Sequence, residues 1–474
     1  MAEATRIEKD SMGPMTVPAN ALWGASTQRA VENFPISGYR FGRRFIRAMG
    51  LIKLAAARVN RDLKLLAPNL AELIEKAAQD VIDGKLDEHF VLDIFQTGSG
   101  TSTNMNANEV ISNRAIQIAG GRIGSKEPVH PNDHVNMAQS SNDVIPTAMH
   151  VSAAEALKHD LSPALTHLAE RLEEKARAFD RIVKIGRTHL QDATPIRLGQ
   201  EFSGYAQQAR LAAMRAEKAV RALRELPIGG TAVGTGINAH PETGPRMAAE
   251  LARLSGIDFV EAANHFEAQA AKDGFVEAAG QLRAIAVGLT KIANDLRWLG
   301  SGPRCGIGEI RIPATQPGSS IMPGKVNPVM SEMLLMTCAQ VIGADATIGF
   351  AGATMGTFDL HVGMPVMAHA FLESTRLLSS AVRVFADRCV AGIEADEARC
   401  KGLIELSLAM CTSLAPVIGY DKAADLAKRA FAQGKTVREL CLAEKVLPEA
   451  RLNELLDPFG MTMPHADKVT SGGG

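Results

Sequence analysis

The segment "PGSSIMPGKVNPV", Pro317 to Val329, gathers two hydroxyls, an ammonium and a carboxamide in one stretch: Ser319, Ser320, Lys325 and Asn327. Three prolines and two glycines in 13 residues exclude a regular element, because proline fixes φ and lacks a backbone donor. Ile321, Met322 and Val326 are out of place in a solvated linker. The composition suits a shaped loop whose successive backbone N–H groups converge on an anion. That anion could be a substrate carboxylate, or the alkoxide of a serine acting as a base, which serine does poorly unaided. A nucleotide P-loop is excluded. Five residues rather than four separate Gly318 from Gly324, and Val326 follows Lys325 where Ser or Thr belongs.

Three further stretches are dense in hydroxyls, amides and glycines: "TGSGTSTNMNANE" (97–109), "HPNDHVNMAQSSND" (130–143) and "GRTHLQDATP" (186–195). Helix capping explains any one of them, since Ser, Thr, Asn and Asp favour N-caps. Four such loops between long helices point instead to a site on a stiff scaffold. "GTAVGTG" (230–236) is no dinucleotide fingerprint, because no strand–turn–helix pattern surrounds it.

The scaffold shows in apolar or small residues stepping alternately by three and four. Four stripes are Phe202–Tyr205–Ala209–Ala212–Ala216–Ala219–Leu223–Leu226, Leu282–Ile285–Leu289–Ile292–Leu296–Leu299, Met367–Ala370–Ser374–Leu377–Ala381–Val384 and Leu161–Leu165–Leu168–Leu172. This spacing predicts long helices packed nearly parallel, and alanines along a seam let axes approach closely. The reading is a helical bundle shared between subunits. Residues 1–140 read as short helices and loops, 141–394 as the bundle and 395–474 as a small helical domain. "IGYDKAADLAKRAFAQGKT" is a helix ending near Gly434, a second helix begins near Val329, and "GEIRIP" (308–313) is the best strand candidate.

Composition narrows the class. Apolar residues at 46% supply a large core, and a net charge of −1 offers no basic surface for nucleic acid or membrane. Six cysteines, Cys305, Cys338, Cys389, Cys400, Cys411 and Cys441, form no C-x-x-C pair, so free thiols and no zinc site are expected. The N-terminal stretch lacks an apolar signal core, and uncharged apolar runs are too short to span a bilayer. The final "SGGG" reads as a disordered tail.

The same loops resemble the signatures of the fumarase/aspartase superfamily, and class II fumarases in particular. "GSSIMPGKVNP", "TGSGTSTNMNANEV", "AQSSND", "GRTHLQDATP", "GGTAVGTGIN" and "KIANDLRWLGSGPRCGIGEI" occur in the family's order over nearly the whole chain. The resemblance implies an all-α, three-domain subunit in a homotetramer, with a core of about 20 helices, about five per subunit. It implies active sites shared by three subunits, a cytoplasmic location, and neither metal nor cofactor. The implied reaction is reversible addition of water to fumarate, giving L-malate through an aci-carboxylate. By the same carry-over Ser319 removes the C3 proton, His189 handles the water proton and Glu332 orients His189. Ser99, Gly100, Thr101, Asn104, Ser140, Ser141, Asn142, Thr188, Ser320, Lys325, Val326 and Asn327 would hold the substrate. His130, Pro131, Asn132 and Asp133 match a secondary anion site.

The bland alternatives are that Ser319 caps the helix beginning near Val329, that His189 is a satisfied structural histidine, that Lys325 is a solvated charge, and that Glu332 serves a helix dipole. Three departures bear on substrate range. His134 stands where fumarases usually carry Asp, Asp359 and His361 replace Glu and Asn, and Glu127 occupies an arginine position of the secondary site. They permit a substituted fumarate. The main rival is aspartate ammonia-lyase, against which Gly324 and His189 stand; a non-enzymatic helical tetramer is opposed by intact Ser319, His189 and Lys325.

Overall fold

The computed structural model describes residues 4–465, and they fold mostly as helix. Contacts divide the chain into two compact units. Unit 1 comprises Met1–Pro163, Ala213–Ala286 and Cys338–Ser379; unit 2 comprises Ala164–Ala212, Val287–Thr337 and Ser380–Gly474. The "SGGG" tail lies outside the described residues.

In unit 1 the antiparallel hairpin of β1 (Thr5–Asp10) and β2 (Gly13–Pro18) precedes helices α1 (Ala25–Asn33), α2 (Arg43–Asp62), α3 (Pro68–Ile82), α4 (Thr101–Ile118) and α5 (Ser141–Ala156). The α2 helix is the hub, packing against α3, α4 and α5. Glu109 of α4 takes the place of a cap for α1. Its carboxylate accepts the N–H groups of Gly24, Ser26 and Thr27 and the Thr27 hydroxyl, four donors that α1 lacks a side chain of its own to satisfy.

Unit 2 holds most of α6 (Ser162–Ala178) and the hairpin of β3 (Val183–Thr188) and β4 (Gln191–Arg197). Ile185 of β3 packs into a core with Met410, Leu414, Leu426, Leu440 and Leu452 from the C-terminal helices, so this tail supports the hairpin. The helix Tyr420–Gln433 ends on Gly434 in the left-handed conformation, where its sequence places the stop. Of "GEIRIP" only Ile310–Arg311 is strand, paired with Glu394–Ala395. The remaining long elements are α7 (Leu198–Ala222), α8 (Thr243–Ser255), α9 (His265–Ala270), α10 (Asp273–Leu299), α11 (Val329–Thr354) and α12 (Met364–Arg388).

Three of the four stripes are buried throughout, including every residue from Phe202 to Leu226 and from Leu282 to Leu299 in those series. The α12 stripe is out of phase. Val384 is exposed and Ala370 and Leu377 half-buried, whereas Phe371, Leu378, Val382 and Phe385 are fully buried. Stepping from Ala370 rather than Phe371 let small residues mask the true apolar face. The stretch 97–109 is also not a loop throughout, because α4 starts at Thr101. Its buried face carries Asn104, Asn106, Asn108, Glu109 and Asn113, so no apolar period marks it as a helix.

The α11 helix is the reverse case. It is long and apolar enough by composition to cross a bilayer, although Glu332 and Asp345 interrupt it, and 28% of its most apolar window is buried within the chain. Met336 and Phe350 are among its exposed side chains.

Candidate active site

In unit 1 the expected hydroxyls converge. Ser99 Oγ lies 2.8 Å from Thr101 Oγ1, which lies 2.8 Å from Ser141 Oγ. Gly100 adopts φ of 73° at the start of α4, and a Cβ there would lie 2.8 Å from Ile145, so glycine is required by both backbone and space. Ser140 caps α5 in a reciprocal capping box with Asp143. Ser140 thus caps α5, and the cap brings Ser141 to Thr101. Asn142 donates to the Ala232 carbonyl at 2.8 Å, and buried Asp143 accepts the N–H groups of Gly229 and Thr231, tying the "GTAVGTG" stretch to this helix start. Burial pushes the Asp143 carboxyl up, while these amides, that of Ser140 and the Lys53 charge pull it down.

Asn104 is buried with both polar atoms engaged. Its Oδ1 accepts from Lys53 Nζ at 2.9 Å and its Nδ2 donates to Asn136 Oδ1 at 3.1 Å. Lys53, from α2, was not singled out by sequence. The signal was present, as one lysine inside the apolar run "AMGLIKLAAA".

The "HPND" stretch forms a single wide turn, Pro131–Val135. His130 Nδ1 accepts the N–H groups of Asn132 and Asp133 at 3.2 Å each, and burial holds its pKa below the usual histidine value. Asp133 also approaches this nitrogen at 3.3 Å, but a nitrogen receiving two N–H bonds carries no proton, so the ring is neutral and only Nε2 is left to donate. Two of the departing residues, His134 and His361, have structural tasks. His134 Nδ1 accepts the His130 N–H at 2.9 Å, and fully buried His361 bridges Ala351 O and Gly363 N, both at 3.1 Å. Asp359 is exposed.

In unit 2 the segment is irregular from Pro317 to Pro328, and Val329 opens α11. Its neck is closed by Gly318 N donating to Lys325 O at 2.9 Å and Asn327 Nδ2 donating to Gly318 O at 2.7 Å. Ser319 Oγ accepts two backbone N–H bonds, from Met322 at 3.0 Å and Ile321 at 3.3 Å. It does not cap α11, whose first N–H, on Val329, goes to Asn327 O. Ser320, Lys325 and Val326 are exposed, and Glu332 is exposed in the first turn of α11.

Thr188 and His189 sit at the tip of the β3–β4 hairpin, exposed. The two-residue turn is His189–Leu190, with φ of 54° and 60°, the paired left-handed geometry of a type I′ turn. Neither residue is glycine, asparagine or aspartate, so the strands must hold this turn. Beneath it lies an ion cluster. Fully buried Glu309 meets Arg187 at 2.9 Å and buried Lys184 at 3.2 Å, and Lys184 also reaches Glu201 at 3.2 Å. Among the described residues no hydrogen bond or ion pair joins His189 to Glu332 within the chain. The predicted residues thus form two local groups, a hydroxyl cluster in unit 1 and the loop and hairpin tip in unit 2. Among the described residues no cluster of His, Cys, Asp and Glu fits a metal ion, and four of the six free cysteines are buried.

The sequence matches the lyase family model over residues 13–343 and the fumarase C C-terminus model over 410–463. The class II fumarate hydratase of Mesorhizobium japonicum is 53% identical over 460 residues, 97% of this chain and 99% of that protein. The chain belongs to the class II fumarate hydratase family. The Halobacterium salinarum enzyme of that name is 56% identical over 98% of both chains. The crystal structure of a class II fumarase from Schistosoma mansoni superposes with a TM-score of 0.94 at 37% identity, covering 98% of this chain and all of that one. The fold is therefore the fumarase-family helical fold, and the chain is a hydro-lyase. The ammonia-lyase alternative is not favoured.

Proposed function

We propose that this chain adds water reversibly across fumarate to give L-malate, with Ser319 as the C3 base. The observation that carries the assignment is the pair of N–H bonds to Ser319 Oγ. Two donors aimed at one hydroxyl oxygen lower the cost of its alkoxide, as an oxyanion hole does. In the malate-to-fumarate direction Ser319 takes the C3 proton and the electron pair enters the adjacent carboxylate. The resulting aci-carboxylate is where preorganised donors act most strongly. The C2 hydroxyl then leaves as water with a proton managed by His189. Glu332 is the orienting partner of His189 in this reading, supplied across a subunit contact.

A fumarate dianion needs its two hydration shells replaced. Ser99, Gly100, Thr101, Asn104, Ser140, Ser141, Asn142, Thr188, Ser320, Lys325, Val326 and Asn327 are assigned to this task. We place the protein in a homotetramer with sites shared by three subunits. What supports this is the exposed apolar side of α11 and an adjoining groove of about 550 Å³ lined by Phe95, Phe350, Met355, Val362 and Pro365. A metal-free, cytoplasmic enzyme with a secondary anion site at His130–Asp133 completes the reading, that site carrying Glu127 in place of an arginine and a neutral His130 ring. The test is conversion of fumarate to L-malate by purified protein in the presence of a chelator. Turnover only with ammonia or aspartate would reject it.

A further inference from the structure

Lys53 is fully buried in the middle of α2, and its ammonium touches three side-chain amide oxygens: Asn104 Oδ1 and Gln139 Oε1 at 2.9 Å each and Asn136 Oδ1 at 3.0 Å. Three acceptors around one nitrogen are all satisfied only by the three hydrogens of an ammonium. Burial lowers its pKa to about 7 even with Asp143 pulling the other way, and the three amide oxygens are the groups placed to hold the protonated form. Among the described residues Lys53 forms no ion pair. Asp143, the carboxylate that acts on it from α5, is itself occupied by the Ser140, Gly229 and Thr231 amides. A buried cation with no carboxylate in contact is costly, and burying one serves a purpose when an anion arrives nearby.

The three amides point to that place. Asn104 lies one helical turn from Thr101 on α4, and Gln139 immediately precedes Ser140. Gln139 and Asn136 in turn brace the loop, through Gln139 Nε2 to Val135 O and Met137 O and Asn136 Nδ2 to Gln139 O. We propose that Lys53 is a positioning residue for the substrate dianion: it locks Asn104, Asn136 and Gln139 so that the Thr101–Ser141 hydroxyls face the anion, and it supplies that site with a positive field from behind. The proposal rests on the hydratase reading of the hydroxyl cluster.

The test separates charge from architecture. Asn136→Asp keeps the oxygen that accepts from Lys53 and Asn104, gives up one bond to Gln139 O, and sets a carboxylate against the ammonium. Lys53→Met removes the charge at similar volume. Thermal melts, KM and kcat for fumarate, and calorimetric binding of succinate, a four-carbon dianion, are measured on both. The expected result is a KM and a succinate Kd raised at least about threefold in Asn136→Asp and about tenfold or more in Lys53→Met, with kcat changed less. Asn136→Asp should melt no lower than wild type by more than a few degrees, so it remains decisive if Lys53→Met does not fold. A folded variant whose succinate Kd stays below about threefold of wild type overturns the role. Failure of the hydratase reading looks different: wild type itself would then neither hydrate fumarate nor bind succinate.

Discussion

Glu309→Gln is the perturbation whose cost follows most directly from the structure. The carboxylate is fully buried and faces two cations, Arg187 at 2.9 Å and Lys184 at 3.2 Å. With Glu201 the group carries two positive and two negative charges. Glutamine keeps the volume but leaves the cluster one charge out of balance in a place water does not reach. Breaking a buried pair costs about 3–5 kcal/mol. The lower end applies, because Lys184 retains Glu201 and the Ile185 carbonyl at 2.9 Å. A loss of about 3 kcal/mol is about two decades in the folding equilibrium, or about 1–1.5 M in urea midpoint for a slope of 2–3 kcal/mol/M. The chain has two tryptophans, so in a Trp23→Phe background Trp298 reports on unit 2 alone. Adding Lys184→Met restores neutrality, and the double variant should be more stable than the sum of the singles by at least about 1 kcal/mol. Because β3 carries Arg187 next to Thr188 and His189, turnover should fall in Glu309→Gln under conditions where the protein remains folded. A midpoint within about 0.3 M of wild type would refute the reasoning.

Three further outcomes are expected. Leu190→Gly relieves a left-handed residue at the hairpin tip and should raise stability by up to about 1 kcal/mol, read by thermal melts, with turnover retained. Gly98→Ala would set a methyl 1.9 Å from the Val362 carbonyl oxygen next to Ser99, and should cost about 3 kcal/mol or more, read as loss of folded protein or of activity. Glu250 is pulled down to about 2 from an ordinary 4.5 by Arg253 and Arg58, so its stabilisation is complete above 4.5 and lost as pH falls toward 2. Glu250→Gln should therefore flatten the fall in melting temperature across that interval and leave its shape at neutral pH unchanged.

The sequence was informative where burial and apolarity coincide. The seams of α7 and α10 obey a helical period because their buried faces are apolar, and Pro317–Val329 declared itself by residues that no regular element tolerates. It was opaque where buried faces are polar. Asn104, Asn106 and Asn108 look like loop residues until the structure places them inside α4. The partners of Lys53 and Glu309 could not be named from sequence, since they lie 51 or more residues away in the chain. The Ser319 nest was legible as chemistry, whereas its two donors, Ile321 and Met322, could be named only from geometry. The His189–Leu190 turn was hidden for the opposite reason, because neither residue favours positive φ.

The central claim is that a hydroxyl held by two backbone amides removes a proton from the four-carbon acid. It is tested most directly by Ser319→Ala, with kcat measured beside deuterium entry at C3 of L-malate formed from fumarate in D₂O. The account predicts that kcat and C3 exchange fall together by at least about a hundredfold, while succinate binding is retained. Turnover and exchange near the wild-type level in that variant would contradict it.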